Sequence, residues 1–452
     1  MSIPPLRLLG CSLAAVLLSA CGGDVADTGN DVENFEIAAG GTGTLIEGAT
    51  EELVIPIQLT RGRGHDAPVE LTFTGEGDSD MKNLTAGFDE ATLSGDRRNT
   101  RLRLRLNVAA APIQAGDRRL YVTADDGTDA ERIALDIAVQ PTDAPDVYLL
   151  VGQSNMVGFS GEATRQGEPG GPDAPDPRIR QLNVSANDSF VTFSQPVHFK
   201  STARNVGDPL LTLAEDPLHV PRSSDDIDGG KSDQYIGLGL SFAKRALAST
   251  TADIVLVPAA WSGSSFCDNS NGPRGNWAVG ATDPALGNSL LFDRAVLRAD
   301  LALQASGGVL RGILWHQGES DANEVCAPLY ADNLDRMAHQ FRQRIRPDAR
   351  GAVARGADAN VPFVVGTLSR GSDARGDLST FGPSKQTVDE ATRLTPQRLA
   401  HSAVSVHDDL IPANGYPCGN TTCVHFGAEA LREIGQRYHV ALERALTNAP
   451  QR

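Results

Sequence analysis

At Pro141-Thr142-Asp143-Ala144-Pro145 the hydrophobic pattern of this chain changes its period, and that change limits what the chain can fold into. Before it, apolar and polar residues alternate in short runs bounded by turn residues. After it, apolar runs are continuous and are separated by stretches with helical spacing. Two prolines in five residues extend neither a strand ladder nor a helix, so the segment reads as a linker between units of different class.

The first unit, residues 33–141, carries strand signals at 35–39, 53–60, 69–75, 84–93, 100–109, 118–124 and 132–139. Many short strands in about a hundred residues, without a long helical pattern, predict an all-β immunoglobulin-like sandwich. Arg101-Leu102-Arg103-Leu104-Arg105-Leu106 alternates at every residue, which puts leucines on one sheet face and arginines on the other. The arginine face reads as a solvated surface, with a polyanion-binding stripe as the alternative. Nothing in this unit suggests catalysis.

In the second unit, residues 146–450, the apolar runs are 147–151, 254–259, 309–315, 363–368 and 403–406. Continuous runs suit strands buried on both faces. Helical spacing appears at 330–346, where Leu334, Met337, Phe341 and Ile345 share a face until Pro347, and at 428–446, with Leu431, Ile434, Tyr438 and Leu442. Alternating strands and helices predict an α/β fold with an open parallel sheet and helices on both faces. Residues 160–234, rich in Gly, Pro and Asp, read as a long insertion.

The N-terminus points to export. Arg7 is followed by an apolar run at 8–18 that is too short to span a bilayer but suits a signal-peptide core. Leu18-Ser19-Ala20-Cys21 resembles the lipobox of bacterial lipoproteins. That resemblance implies a signal peptide over residues 1–20, acylation of Cys21, a tether at 21–32 and a membrane-anchored protein of the bacterial cell envelope. A plain secretory signal is the alternative. In an oxidising compartment the four remaining cysteines suggest two disulfides. Four cysteines permit three connectivities, and proximity in sequence favours Cys418–Cys423, leaving Cys267–Cys326. No Cys-x-x-Cys or paired-histidine spacing supports zinc. A formal charge of -17 over 452 residues excludes a nucleic-acid partner, which needs a basic surface.

In an open parallel sheet, chemistry sits at the carboxyl ends of the strands. Three segments there carry suitable residues. Gly152-Gln153-Ser154-Asn155-Met156 puts a serine on a tight turn between strand and helix, as a nucleophile requires, although a capping serine would look the same. His316-Gln317-Gly318-Glu319-Ser320-Asp321 offers an amide donor and a carboxylate, with a helix-capping cluster as the alternative. His425, in Val424-His425-Phe426-Gly427, precedes the last helical pattern.

These three segments, with Asp176-Pro177-Arg178-Ile179, Asp216-Pro217-Leu218, Gly237-Leu238-Gly239 and the stretch from Pro258 to Gly263, resemble the sialate O-acetylesterase-like carbohydrate esterases. That family, carbohydrate esterase family six, belongs to the SGNH hydrolases. The resemblance covers about residues 146–446. It implies an SGNH-type, flavodoxin-like three-layer fold with Ser154 as nucleophile and His425 as general base and acid. The Ser154 and Gly263 backbone N–H groups and the Gln317 side chain would form the oxyanion hole. Ser262-Gly263-Ser264 departs from the family's double glycine, and Thr422 stands where many SGNH hydrolases carry the triad Asp. Glu319 is therefore the expected acid, with Asp409 in reserve.

The activity so implied is removal of O-acetyl groups from a carbohydrate, acetylated xylan or O-acetylated sialic acid, with no metal or organic cofactor. Trp261, Trp277 and Trp315 lie near strand ends, where one could stack on a sugar or all could pack in the core. The rivals are a lipase- or thioesterase-type SGNH hydrolase and a non-catalytic glycan-binding surface protein.

Overall fold

The computed structural model describes residues 34–40, 43–49, 51–109, 113–158, 170–182, 210–219, 236–267, 277–280, 291–345, 361–370, 381–410 and 424–448. The expected signal segment, Cys21, the tether, Thr422 and the Cys418–Cys423 pair lie outside them. No helix among the described residues is long and apolar enough to cross a membrane.

The N-terminal region contains β1 (Phe35–Ala39), β2 (Thr44–Ile46), β3 (Leu53–Arg61), β4 (Val69–Gly75), β5 (Leu84–Phe88), β6 (Thr92–Leu93), β7 (Asn99–Leu106), β8 (Gly116–Asp125) and β9 (Ala130–Gln140). They form two sheets, ordered β1-β3-β7-β5 and β2-β9-β8-β4-β6, antiparallel except where β2 joins β9. Period-two alternation builds the core, with Leu102, Leu104 and Leu106 turned inward with Ile55, Ile57, Leu120, Val122 and Ile137. Burying each such side chain contributes about 1.5–3 kcal/mol. The arginines of β7 face outward, where Arg103 bonds Asp89 at 2.6 Å.

Two details differ from the sequence expectation. The 84–93 segment is two strands in different sheets, because the chain turns at Asp89 and Glu90 between them. The strand at Thr44–Ile46 is only three residues, too short to show a period.

The second region contains β10 (Asp146–Gly152), β11 (Ile179–Leu182), β12 (Leu211–Leu213), β13 (Ile254–Pro258), β14 (Val309–His316), β15 (Phe363–Gly366) and β16 (Ser402–Ser405). Its helices include α1 (Ser154–Val157), α2 (Gly239–Ala246), α3 (Leu291–Ser306), α4 (Tyr330–Arg344), α5 (Pro383–Arg393) and α6 (Ala428–Thr447). The sheet order is β12-β11-β13-β10-β14-β15-β16, parallel except for β12 against β11. Every residue of central β10 is buried. Val147, Leu149 and Val151 join one core with α3 and α4, whereas Tyr148 and Leu150 join the opposite core with α2 and α6. One strand thus feeds both cores, which explains its unbroken apolar run and the three-layer architecture.

Strands β11 and β12 lie within the stretch expected to be an insertion. They are four and three residues long, with Arg180 and Thr212 interrupting any apolar run. All three tryptophans are buried, at 4%, 0% and 1% exposure for Trp261, Trp277 and Trp315, so they pack rather than present a ring to solvent. Cys267 and Cys326 form a disulfide.

The two regions meet at the amino ends of the sheet strands. Arg311 of β14, almost fully buried, donates to Asp146 Oδ1 at 2.7 Å, to Glu47 Oε1 at 2.9 Å and to the Ala109 carbonyl. Glu47, also fully buried, accepts from the N–H groups of Ala109 and Thr142. A buried charge needs partners of this kind to be tolerated.

Candidate active site

The carboxyl end of β10 sets the position of Ser154. Gly152 has φ +136° and pairs with His316 of β14. A Cβ there would collide with the His316 carbonyl, so only glycine lets the chain turn this close to its neighbour. Gln153 N–H then donates to His316 O at 2.9 Å and α1 begins at Ser154. In the first helical turn backbone N–H groups have no intrahelical carbonyl, and Ser154 holds the first of these positions.

His425 comes from the residues just before α6. Its Nε2 lies 2.9 Å from Ser154 Oγ. The fully buried Asn155 fixes this approach. Its Oδ1 accepts from Phe426 N–H at 3.1 Å, and its Nδ2 donates to Val424 O at 2.8 Å, so it holds the peptides on both sides of His425. Asn155 stood within the serine motif, but its sequence position alone gave no reason to assign it a role.

The second Nδ2 proton of Asn155 goes to Glu319 Oε1 at 2.6 Å. Burial pushes the Glu319 carboxyl above its ordinary range, while this bond and the positive charge of Lys385 act against that shift. Asp409, the reserve acid, stands elsewhere. Its oxygens lie 2.6 and 2.8 Å from the Arg437 guanidinium, whose hydrogen bonds hold its carboxyl down at about 2.

The turn carrying Gly263 runs beside the serine. Trp261 N–H donates to Gly152 O at 2.9 Å, and Gly263 follows with φ +69°. Gln317 is fully buried next to this turn. Its Nε2 donates to Ser264 O at 3.0 Å and to Asp321 Oδ2 at 2.6 Å, which takes up both amide protons. Asp321 does not cap a helix. It is buried within a short turn, Glu319–Asp321, and accepts from Phe266 N–H. Cys267, Asp321 and Cys326 come together here, but both sulfurs are in the disulfide and leave no thiolate for a metal.

Beneath these loops, His316 and His407 stack with ring centroids 5.4 Å apart, and Phe426 packs edge-on against both. Tyr438 donates its hydroxyl proton to Trp315 O at 2.7 Å, so it receives a proton from His316 Nδ1 at 3.0 Å. His316 therefore carries a proton on Nδ1, and burial, which pushes its pKa down to about 3, disfavours a second one on Nε2. His425, by contrast, is partly exposed and touches the serine, as a base requires. A serine whose proton can pass to an imidazole, next to backbone N–H groups, is equipped for nucleophilic acyl transfer.

Residues 144–444 match the model of a family described as carbohydrate esterase, sialic acid-specific acetylesterase. A protein of Arabidopsis thaliana named a probable carbohydrate esterase is 28% identical over 211 residues, 45% of this chain, and the chain spans 65% of that relative's length. Among solved structures, NanS is similar over 67% of this chain and 97% of its own, with 18% identity and a TM-score of 0.46. A carbohydrate acetylesterase from Xanthomonas citri is similar over 90% of this chain and 73% of its own, with 20% identity and a TM-score of 0.44.

Proposed function

The chain belongs to the sialic acid-specific acetylesterase family of carbohydrate esterases, and from that premise we propose that it removes O-acetyl groups from sugars through an acetyl-Ser154 intermediate. The observation that carries the reading is the 2.9 Å contact between His425 Nε2 and Ser154 Oγ. As Ser154 Oγ attacks the acetyl carbonyl, His425 takes its proton. The carbonyl oxygen becomes an oxyanion that the Ser154 and Gly263 N–H groups receive. Collapse breaks the ester bond, and His425 returns the proton to the departing sugar oxygen. Water, deprotonated by His425, then attacks the acetyl-serine, and His425 passes that proton to Ser154 Oγ as the bond breaks and acetate leaves.

Glu319 is the acid we assign to the imidazolium. Its support is the Asn155 side chain, which joins Glu319 to the peptides around His425. Asp409 is exposed and paired with Arg437, which leaves it poorly placed for the same work. The substrate class we favour is an acetylated polysaccharide of the xylan type or an O-acetylated sialic acid. The lipobox-like Leu18-Ser19-Ala20-Cys21 supports export to the cell envelope with Cys21 acylated. Loss of the protein from the membrane fraction in Cys21→Ala tests that placement, and retention there would refute the anchor.

The decisive experiment compares p-nitrophenyl acetate with its butyrate and longer esters, then acetylated xylan with O-acetylated sialic acid, using Ser154→Ala as control. Acetate preference with complete dependence on Ser154 is expected. Absence of Ser154-dependent hydrolysis would refute the mechanism, and a long-chain preference would point to a lipase-type enzyme.

A further inference from the structure

The Gly263 turn is held from several sides by groups that the acyl-transfer scheme does not use. Gln317 Nε2 bonds Ser264 O, one residue from Gly263. Phe266 N–H points between the two oxygens of Asp321, at 3.0 and 2.9 Å. Cys267 is joined covalently to Cys326. On the other side, Trp277 donates its ring N–H to Ser264 Oγ at 2.8 Å and its backbone N–H to Ser265 O at 2.8 Å. Asp321 is central to this arrangement because it binds Phe266 and also orients Gln317, at 2.6 Å.

Resting on the esterase reading above, we propose that Asp321 is a positioning residue. With Gln317 and the Cys267–Cys326 disulfide, it fixes the 263–267 turn so that the Gly263 N–H meets the oxyanion. The chemistry favours this over a direct role for Gln317. A primary amide has two N–H donors, and here both are engaged, by Ser264 O and by Asp321. Gln317 therefore sends no proton toward Ser154 and acts through the turn. Asp321, at 0% exposure, accepts these bonds in a dry setting, where hydrogen bonds are strengthened. A donor displaced by about 1 Å can lower the rate 10²-fold without weakening ground-state binding.

The test uses the full-length protein with p-nitrophenyl acetate as substrate and ethylboronic acid as a tetrahedral mimic that adds to Ser154. For Asp321→Asn, kcat falls about 10–100-fold, KM stays within about twofold, and the boronate inhibition constant rises in step with the loss of kcat. A merely structural role would lower the melting temperature without coupling kcat to boronate affinity. Should Asp321→Asn fail to fold, the Cys267→Ser/Cys326→Ser double variant is expected to show the same coupled losses. The proposal is overturned if the folded variant keeps kcat and boronate affinity within about twofold of wild type, or if the loss falls on KM. Wild-type protein without Ser154-dependent hydrolysis would overturn the esterase reading, and this role with it. Intact wild-type hydrolysis beside an unaffected variant overturns the positioning role alone.

Discussion

Asn155 donates a 2.6 Å hydrogen bond to the Glu319 carboxylate while holding both peptides that flank His425. The base and the assigned acid are thus oriented by one amide. Asn155→Ala is expected to lower kcat about 10–100-fold with little change in KM, because it releases the His425 segment without touching the substrate. Asn155→Asp is expected to be worse, since it sets a second carboxylate against Glu319. Steady-state kinetics on p-nitrophenyl acetate checks both variants.

Replacing each candidate acid separates their roles. Glu319→Gln keeps an acceptor for Asn155 but removes the charge that would offset an imidazolium, so kcat falls and KM does not. Asp409→Asn removes only an exposed ion pair with Arg437, which contributes about 0–1 kcal/mol, and turnover stays near wild type. The reverse pattern would move the acid assignment to Asp409.

A pH-dependent contribution to stability comes from Asp216. Burial pushes its carboxyl up to about 7, and among the described residues its Oδ2 has no hydrogen-bond partner. In the unfolded chain the group ionises near its ordinary 3.8. The folded state therefore binds the extra proton between these values, and stability falls as pH rises through that window, by about 1.4 kcal/mol per unit. Asp216→Asn removes the penalty. Its melting temperature should equal that of wild type near pH 4 and exceed it above pH 7.

The contact between the β-sandwich and the sheet rests on a buried ionic cluster. Glu47→Ala leaves Arg311 with Asp146 as its one remaining carboxylate partner among the described residues, and is expected to destabilise the protein by about 3–5 kcal/mol. Calorimetry should show wild type unfolding in one transition and the variant in two, as the regions uncouple. Acetyl-ester turnover at low temperature should be unchanged, because the cluster is remote from Ser154.

Much of this architecture was legible in the sequence. Central β10 showed as an apolar run because it is buried on both faces, and β7 showed as strict alternation because it is buried on one. The strands β2, β11 and β12, of three or four residues and without a continuous apolar run, were not anticipated. Ser154 and His425 were legible as motifs, and the structure brings them into contact across 271 residues of chain. What the sequence did not reveal was how they are held. Asn155 and Asp321 matter through partners distant along the chain, and the donors of Gln317 were assigned outward when they turn inward to Ser264 and Asp321. Hydrogen-bond partners of this kind depend on tertiary packing, which local pattern does not encode.

The ionic cluster at Arg311 lies where β10 and β14 begin, and the serine lies where β10 ends. Seven residues of extended strand separate them, about 20 Å. The described residues of the sandwich that make this contact therefore lie at the opposite end of β10 from Ser154. On the acetylesterase reading proposed above, a substrate reaching Ser154 does not pass the described sandwich residues that hold Arg311.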